Sequence, residues 1–283
     1  MSDCIDCGQR LDPVLTEQGY AAHPGCRQDE WAVDDALREA LAARICRHAA
    51  ARGHDRPQTV TFSGIGHPCR RRIGYEALGW CKPPRPSEAD TDPLPALIGV
   101  GGHLVFAEAF GGDRQYLTEA AVDVDGVTGQ LDLYDVLGKT IIDWKFVGGT
   151  RLRKYRSEGP SQQYRVQVNC YALGLERVGY EVERVAIAFV PRSGSLREMH
   201  VRAAPYDRQL ALAALARLEA VIALAAALNV DDFPQRWALV KATPTDCAWC
   251  PWYRPYSTDL GVACPGDSFD RPATDRSIQS LLP

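Results

Sequence analysis

Gly129-Gln-Leu-Asp-Leu-Tyr-Asp-Val-Leu-Gly-Lys-Thr-Ile-Ile-Asp-Trp-Lys145 is the stretch on which the fold turns. Thr128 to Val136 and Thr140 to Val147 read as strands, and Leu137-Gly138-Lys139 supplies the turn between them. A tight turn at Leu137-Gly138 sets Asp132 opposite Asp143; a shift by one residue sets it opposite Lys145. Side chains alternate along a strand, so Asp143 and Lys145 share one face and Trp144 takes the other. Either register gathers Asp132, Asp143 and Lys145 on one face of a hairpin. Leu131, Leu133, Ile141, Ile142 and Phe146 mark these strands as central and buried, where an unpaired charge is costly. One reading is a buried salt bridge between Lys145 and an aspartate. The other is a site for a hard divalent cation, Mg²⁺ or Mn²⁺, which takes oxygen ligands and activates water. Two carboxylates and a lysine exceed the needs of one ion pair and favour the second.

Outward from the hairpin, Tyr116 to Val124 is a further strand ahead of the Asp125-Gly126 turn. Ser161 to Val178 returns to helical spacing, Val182 to Pro191 is a strand, and Ala203 to Leu228 is a long helix. Upstream, Asp34 to Ala51, residues 69 to 80 and Ala96 to Phe110 read as helices, with a proline-rich, acidic linker at Lys82 to Pro95. The order predicts a mixed α/β core, a central sheet flanked by helices. The chain is expected to divide into a small metal-stapled module at 1–28, a main domain at 29–265, and an irregular tail at 266–283.

Gly129-Gln-Leu-Asp132 followed by Asp143-Trp-Lys145 resembles the G-x-x-D and D-x-K elements of the PD-(D/E)xK nuclease superfamily. Gln167 and Tyr171, one helical turn apart, match the Q-x-x-x-Y element of its RecB-like branch. His103, after Gly101-Gly102, lies on the helix where that branch places a metal-binding histidine, and Glu119 matches a frequent acidic position. The resemblance implies a restriction-endonuclease-like core that hydrolyses DNA phosphodiesters. His103, Asp132, Asp143 and the carbonyl of Trp144 would hold Mg²⁺ or Mn²⁺. Lys145 would orient water and stabilise phosphate charge, with Gln167 and Tyr171 steadying it or the DNA.

Ten cysteines in a chain with no apolar signal stretch in its polar opening Met-Ser-Asp-Cys predict metal ligands in a cytoplasmic protein rather than disulfides. Cys4, Cys7, His23 and Cys26 have zinc-finger spacing, with Gly8 placed to let the chain turn about Zn²⁺. Cys69, then Cys247-Ala-Trp-Cys250 and Cys264, resemble the arrangement in iron–sulfur nucleases of the CRISPR-associated and AddB-like kind. There, four thiolates hold a 4Fe–4S cluster that clamps the two ends of the nuclease domain; zinc is the physical alternative. Cys46, Cys81 and Cys170 lack partners at ligand spacing and read as packing residues.

The net charge of −4 excludes a generic nucleic-acid coater. DNA contact must then come from local basic runs, Arg70-Arg71-Arg72 and Arg151, Arg153, Lys154 with Arg156, each of which also reads as a solvated surface. The apolar run Leu210 to Leu228, broken by Arg217 and Glu219, predicts a packed helix and no membrane span. The leading expectation is an exonuclease on single-stranded DNA or DNA ends. A structure-specific endonuclease on the same fold and a non-catalytic DNA-binding or assembly module are the rivals. No helicase or P-loop motif is present, so unwinding would need a helicase or recombination partner.

Overall fold

In the computed structural model the described residues are 2–4, 8–19, 21, 23, 33, 35–53, 60–83, 92–245 and 247–266. By its contacts the chain divides into two units, Met1–Asp55 and Arg56–Pro283. In the first, Asp3 bridges Arg10 across a turn whose Gly8 has φ +68°. Helix α1 (Pro13–Glu17) follows, its first amides capped by Asp12, which accepts from Val14 N at 2.8 Å. Helix α2 (Asp35–Gly53) carries Leu37, Leu41 and Ile45 at four-residue spacing along one exposed face.

The second unit opens with α3 (Phe62–Ile65), α4 (Arg70–Ala77) and α5 (Leu94–Phe110). Next come β1 (Tyr116–Val124), β2 (Val127–Asp135) and β3 (Thr140–Val147), then α6 (Gly149–Glu158) and α7 (Gln162–Arg177). The unit continues with β4 (Arg184–Pro191), β5 (His200–Pro205) and α8 (Arg208–Ala227). Among the described residues the strands form one sheet in the order β1-β2-β3-β4-β5, antiparallel except for the parallel β3–β4 pair. That parallel step requires a crossover, which α6 and α7 provide. The fold is a mixed α/β sheet flanked by helices, as the order of elements predicted.

Each sheet face is covered by apolar side chains from a different helix. Leu131, Tyr134, Ile141, Val147, Val185, Ile187 and Phe189 pack toward α7 and α8. Leu133, Trp144, Ala188 and Val190 meet Phe106 and Phe110 of α5 on the other side. α8 is long and apolar enough to cross a bilayer, yet Ala211, Ala214, Leu215, Leu218, Val221 and Ala225 form a buried stripe at helical spacing.

Two elements depart from expectation. The long helix begins at Arg208, where Asp207 caps Leu210 N at 3.0 Å, and Ala203 to Pro205 belong to β5. β5 is an edge strand exposed along nearly its whole length, so it lacks the apolar alternation that marks a half-buried strand. The basic run at 151–156 lies on a helix, α6, which turns Leu152 inward and stacks Tyr155 on Phe189.

Gly129 is fixed by close approach. A Cβ there would lie 2.6 Å from Phe62 Cδ2 and 2.7 Å from Tyr171 Cε1, where α3 and α7 close on β2. Gly129→Ala is expected to destabilise the fold by about 1–3 kcal/mol, read as a lowered denaturant midpoint. An unchanged midpoint would mean the two rings give way freely.

Candidate metal centre and thiol pocket

The site grows from a dislocation in the sheet. β1 and β2 pair with Thr118 against Leu133 and Ala120 against Leu131, which sets Glu119 across from Asp132. Leu117 and Ala120, three residues apart, pack to the same side of the sheet, as do Leu131 and Tyr134. Face alternation therefore slips by one residue at Glu119 and at Asp132. Glu119 absorbs the slip with φ 51°, left-handed backbone that costs a residue with a Cβ about 1–2 kcal/mol.

The β2–β3 ladder pairs Leu133 with Ile142, Tyr134 with Ile141 and Asp135 with Thr140. Its continuation brings Asp132 level with Asp143, the first of the two possible registers. There the Asp132 side chain takes over from the backbone, and Trp144 N donates to Asp132 Oδ2 at 2.7 Å. The Trp144 ring lies on the opposite face, 5.2 Å from Phe106 and 6.0 Å from Phe110, centroid to centroid.

α5 delivers His103, whose Nδ1 lies 3.2 Å from Asp132 Oδ1. One ligand atom from each of His103, Glu119 and Asp132 falls within 4.8 Å of the others. Gln130 Nε2 donates to Glu119 Oε2 at 2.8 Å and holds it in place. On the α7 side, Lys145 Nζ lies 2.7 Å from Asp143 Oδ2 and 4.9 Å from the centre of the Tyr164 ring. Gln167 Nε2 donates to the Tyr171 hydroxyl at 2.8 Å. The two aspartates take different partners: Asp143 pairs with Lys145, while Asp132 lies with His103 and Glu119. Tyr164 and Gln130 were missed in the sequence. Tyr164 could have been found as the residue three before Gln167, hence on the face of α7 that carries Gln167 and Tyr171.

The protonation behaviour follows from this packing. The hydrogen bond to Asp132 raises the His103 pKa above its ordinary value. Partial burial, aided by the charge of Asp132, raises that of Glu119. Burial pushes the Asp143 carboxyl up to about 6, outweighing the Lys145 ammonium beside it. An unfolded aspartate titrates near ~3.9, so between that value and about 6 the folded state holds the extra proton. Stability of the metal-chelated protein should therefore fall as pH rises through this window. Denaturant midpoints measured in chelator test this, and Asp143→Asn should flatten the slope. A midpoint that rises across the same window would contradict it.

A second assembly lies at the N-terminal end of α4, where Cys69 is the cap residue. Cys69, Cys247, Cys250 and Cys264 line one pocket together with His67, Arg72 and Tyr253. Backbone and side-chain donors aim at the sulfurs: Thr243 N at Cys69 Sγ (3.5 Å), Gly266 N at Cys264 Sγ (3.4 Å) and Arg71 Nη1 at Cys264 Sγ (3.4 Å). Burial raises the Cys250 thiol pKa. Beside the pocket, Tyr75, Trp80, Trp237 and Trp252 form an aromatic core, with Tyr75 and Trp237 centroids 4.6 Å apart.

The basic residues separate into different roles. Arg70 is exposed, Arg72 is half-buried at the thiol pocket, and Arg71 is buried. Arg71, expected among the DNA contacts, instead spends its guanidinium on Val240 O, Ala238 O and Cys264 Sγ, because α4 packs that side inward. Arg151, Arg153 and Lys154 are exposed on α6. In the N-terminal unit His23 N lies 3.4 Å from Cys4 Sγ, while Cys7 and Cys26 fall outside the described residues.

No profile of a known protein family matches the sequence. No curated protein matches it. Among solved structures, SSO0001 is similar at 12% identity and a TM-score of 0.43, over 76% of this chain and 95% of that one. An alkaline exonuclease from Laribacter hongkongensis is similar at 10% identity and a TM-score of 0.44, over 65% of this chain and 95% of that one. A phage related exonuclease from Haemophilus somnus 129PT is similar at 13% identity and a TM-score of 0.36, over 61% and 96%. Values this low assign neither a family nor an activity to this chain.

Proposed function

We propose that this chain is a divalent-metal-dependent deoxyribonuclease of the PD-(D/E)xK type, acting as an exonuclease on single-stranded DNA or DNA ends. The observation that carries the reading is the convergence of His103, Glu119 and Asp132 within 4.8 Å, next to the buried Asp143–Lys145 pair. Two carboxylates and an imidazole fit a hard or borderline divalent ion, so Mg²⁺ or Mn²⁺ suits the donor set. His103, Glu119 and Asp132 would hold it, with Asp143 and the Trp144 carbonyl on its β3 side. When bound, the ion supplies Lewis-acid polarisation of a phosphate oxygen and acidifies water.

The chain's own groups do the rest. Asp132 orients the His103 ring through Nδ1 and pins β3 through the Trp144 amide. Asp143 holds the Lys145 ammonium, and the Tyr164 ring beneath it limits its swing. Lys145 can then meet negative charge developing on a phosphate or give a proton to a departing oxygen. Gln167 and Tyr171, bonded to each other, set the shape of the wall behind. Arg70, Arg72, Arg151, Arg153 and Lys154 are the proposed phosphate contacts, with Arg72 lining the thiol pocket.

Cys69, Cys247, Cys250 and Cys264 would hold a 4Fe–4S cluster. Zinc is the physical alternative, since four thiolates suit either. The N–H donors aimed at Cys69 and Cys264 suit thiolate ligands. Cys4, Cys7, His23 and Cys26 are proposed as an N-terminal zinc site, supported by the Cys4–His23 contact and the Gly8 turn.

The test is incubation of anaerobically purified protein with linear and circular single-stranded DNA, with Mg²⁺ or Mn²⁺ and with a chelator. Metal-dependent loss of the linear strand alone supports the exonuclease. Cleavage of the circle moves the reading to an endonuclease. If neither is cut, the chain is a binding or assembly module.

A further inference from the structure

A cleft of about 1090 Å³ lies on the α7 side of the sheet, between the α6–α7 turn and the start of α8, with β5 along one wall. Its volume reaches the upper end of the usual ~300–1,000 Å³ of small-molecule sites, far more than one phosphate needs. Ala203, Ala204 and Pro205 of β5 and Leu210 of α8 form an apolar floor over the buried Val185 and Ile187, and Tyr206 adds a ring. Arg165, Arg202 and Arg208 stand around the rim. Each guanidinium spends part of its fork on the protein: Arg165 Nε on Pro160 O, Arg202 Nη2 on Arg156 O, and Arg208 Nε on Glu176 Oε1. Those bonds aim the three groups. Two carboxylates of the lining, Glu158 and Asp207, face other partners: Lys154 Nζ at 3.8 Å, and the amide of Leu210.

The cationic character extends beyond the rim. α6 and the segment from Arg192 to Arg202 carry seven Lys or Arg against two Glu, in a chain of net charge −4. This field lowers the His200 pKa, after burial, through Arg202 and Arg156. α6 also leads back to the metal centre, because Tyr155 packs on Tyr164, whose ring underlies Lys145.

We propose that this cleft is a second nucleic-acid site, holding a single-stranded segment of the substrate away from the metal centre, with phosphates on Arg165, Arg202 and Arg208 and bases on the apolar floor. Charged grooves lined with apolar or aromatic platforms are how unpaired strands are held. A duplex keeps its bases stacked inside and would reach only the rim, so the floor rewards an unpaired strand. The assignment rests on the reading that DNA is the substrate.

The test is binding of a labelled oligothymidylate, followed by anisotropy in chelator across a salt titration. Removal of each arginine–phosphate ion pair should flatten the slope of log K against log salt by about 0.7 for a single strand. The triple variant Arg165→Gln/Arg202→Gln/Arg208→Gln should therefore lower the slope by about 2, and the matching lysine variant should keep most of it. Thermal unfolding checks that both remain folded. A wild-type slope in the folded triple glutamine variant overturns the proposal, as does failure of the wild type to bind oligothymidylate. An equal loss on duplex DNA also overturns it, because the floor would then play no part. The nuclease reading fails separately: a wild type that binds in chelator with the expected slopes yet never cuts with metal leaves the cleft standing.

Discussion

Asp143→Ala and Lys145→Ala are each expected to lower metal-dependent DNA cleavage about a hundred- to a thousandfold, the scale set by loss of one preorganised charge-stabilising group, while leaving the protein folded. The two losses act differently. Lys145→Ala removes the cation paired with Asp143 and leaves that carboxylate, 1% exposed, beside Asp132. Burial has already raised that carboxyl, so without its ammonium it takes up a proton and the core tolerates the change. Asp143→Ala leaves Lys145 at 18% side-chain exposure over the Tyr164 ring, still in reach of water. Both variants keep His103, Glu119 and Asp132, so Mn²⁺ binding measured by calorimetry should survive in Lys145→Ala and vanish in Asp132→Ala. Single-turnover cleavage near the wild-type rate in either Asp143→Ala or Lys145→Ala would sink the site assignment.

Loss of one thiol should have the largest effect on stability. Cys69 and Cys264 lie 195 positions apart in the chain and meet at one pocket. In the chain-entropy picture a crosslink closing a loop of that length is worth about 5 kcal/mol. On the proposed cluster assignment, Cys69→Ala or Cys264→Ala is expected to abolish iron content and visible absorbance and to lower the unfolding midpoint accordingly. The neighbouring core of Tyr75, Trp80, Trp237 and Trp252 should loosen with it, read as a red shift of tryptophan emission. A variant that keeps its iron and its midpoint would remove that residue from the ligand set.

Much of this was legible in the hairpin. The Leu137-Gly138 turn and the alternation of Ile141, Asp143, Lys145 and Val147 placed Asp143 and Lys145 on one face, with Trp144 on the other, as found. β1 and β3 run over the expected residues because their apolar periodicity is strong. The slip in face at Glu119 and Asp132 was invisible: a positive φ announces itself in sequence through glycine or asparagine, and here a glutamate bears it. Arg71 could not be told from Arg70 and Arg72, since three consecutive arginines look alike until a helix turns one of them inward. β5 escaped because an exposed edge has no inner face to pattern.

The separation of the thiols also dictates an order of events during synthesis. At about 5–20 residues per second, Cys264 leaves the ribosome roughly 10 to 40 s after Cys69. Over that interval α3, the sheet and α7 can assemble while Cys69 waits at the head of α4 without its late partners. Any cofactor taken up there must arrive at the end of translation, on a nearly finished scaffold. Assembly of this pocket is thereby a late event: a nascent chain truncated before Cys247 has the β2–β3 hairpin in full but nothing with which to close the clasp.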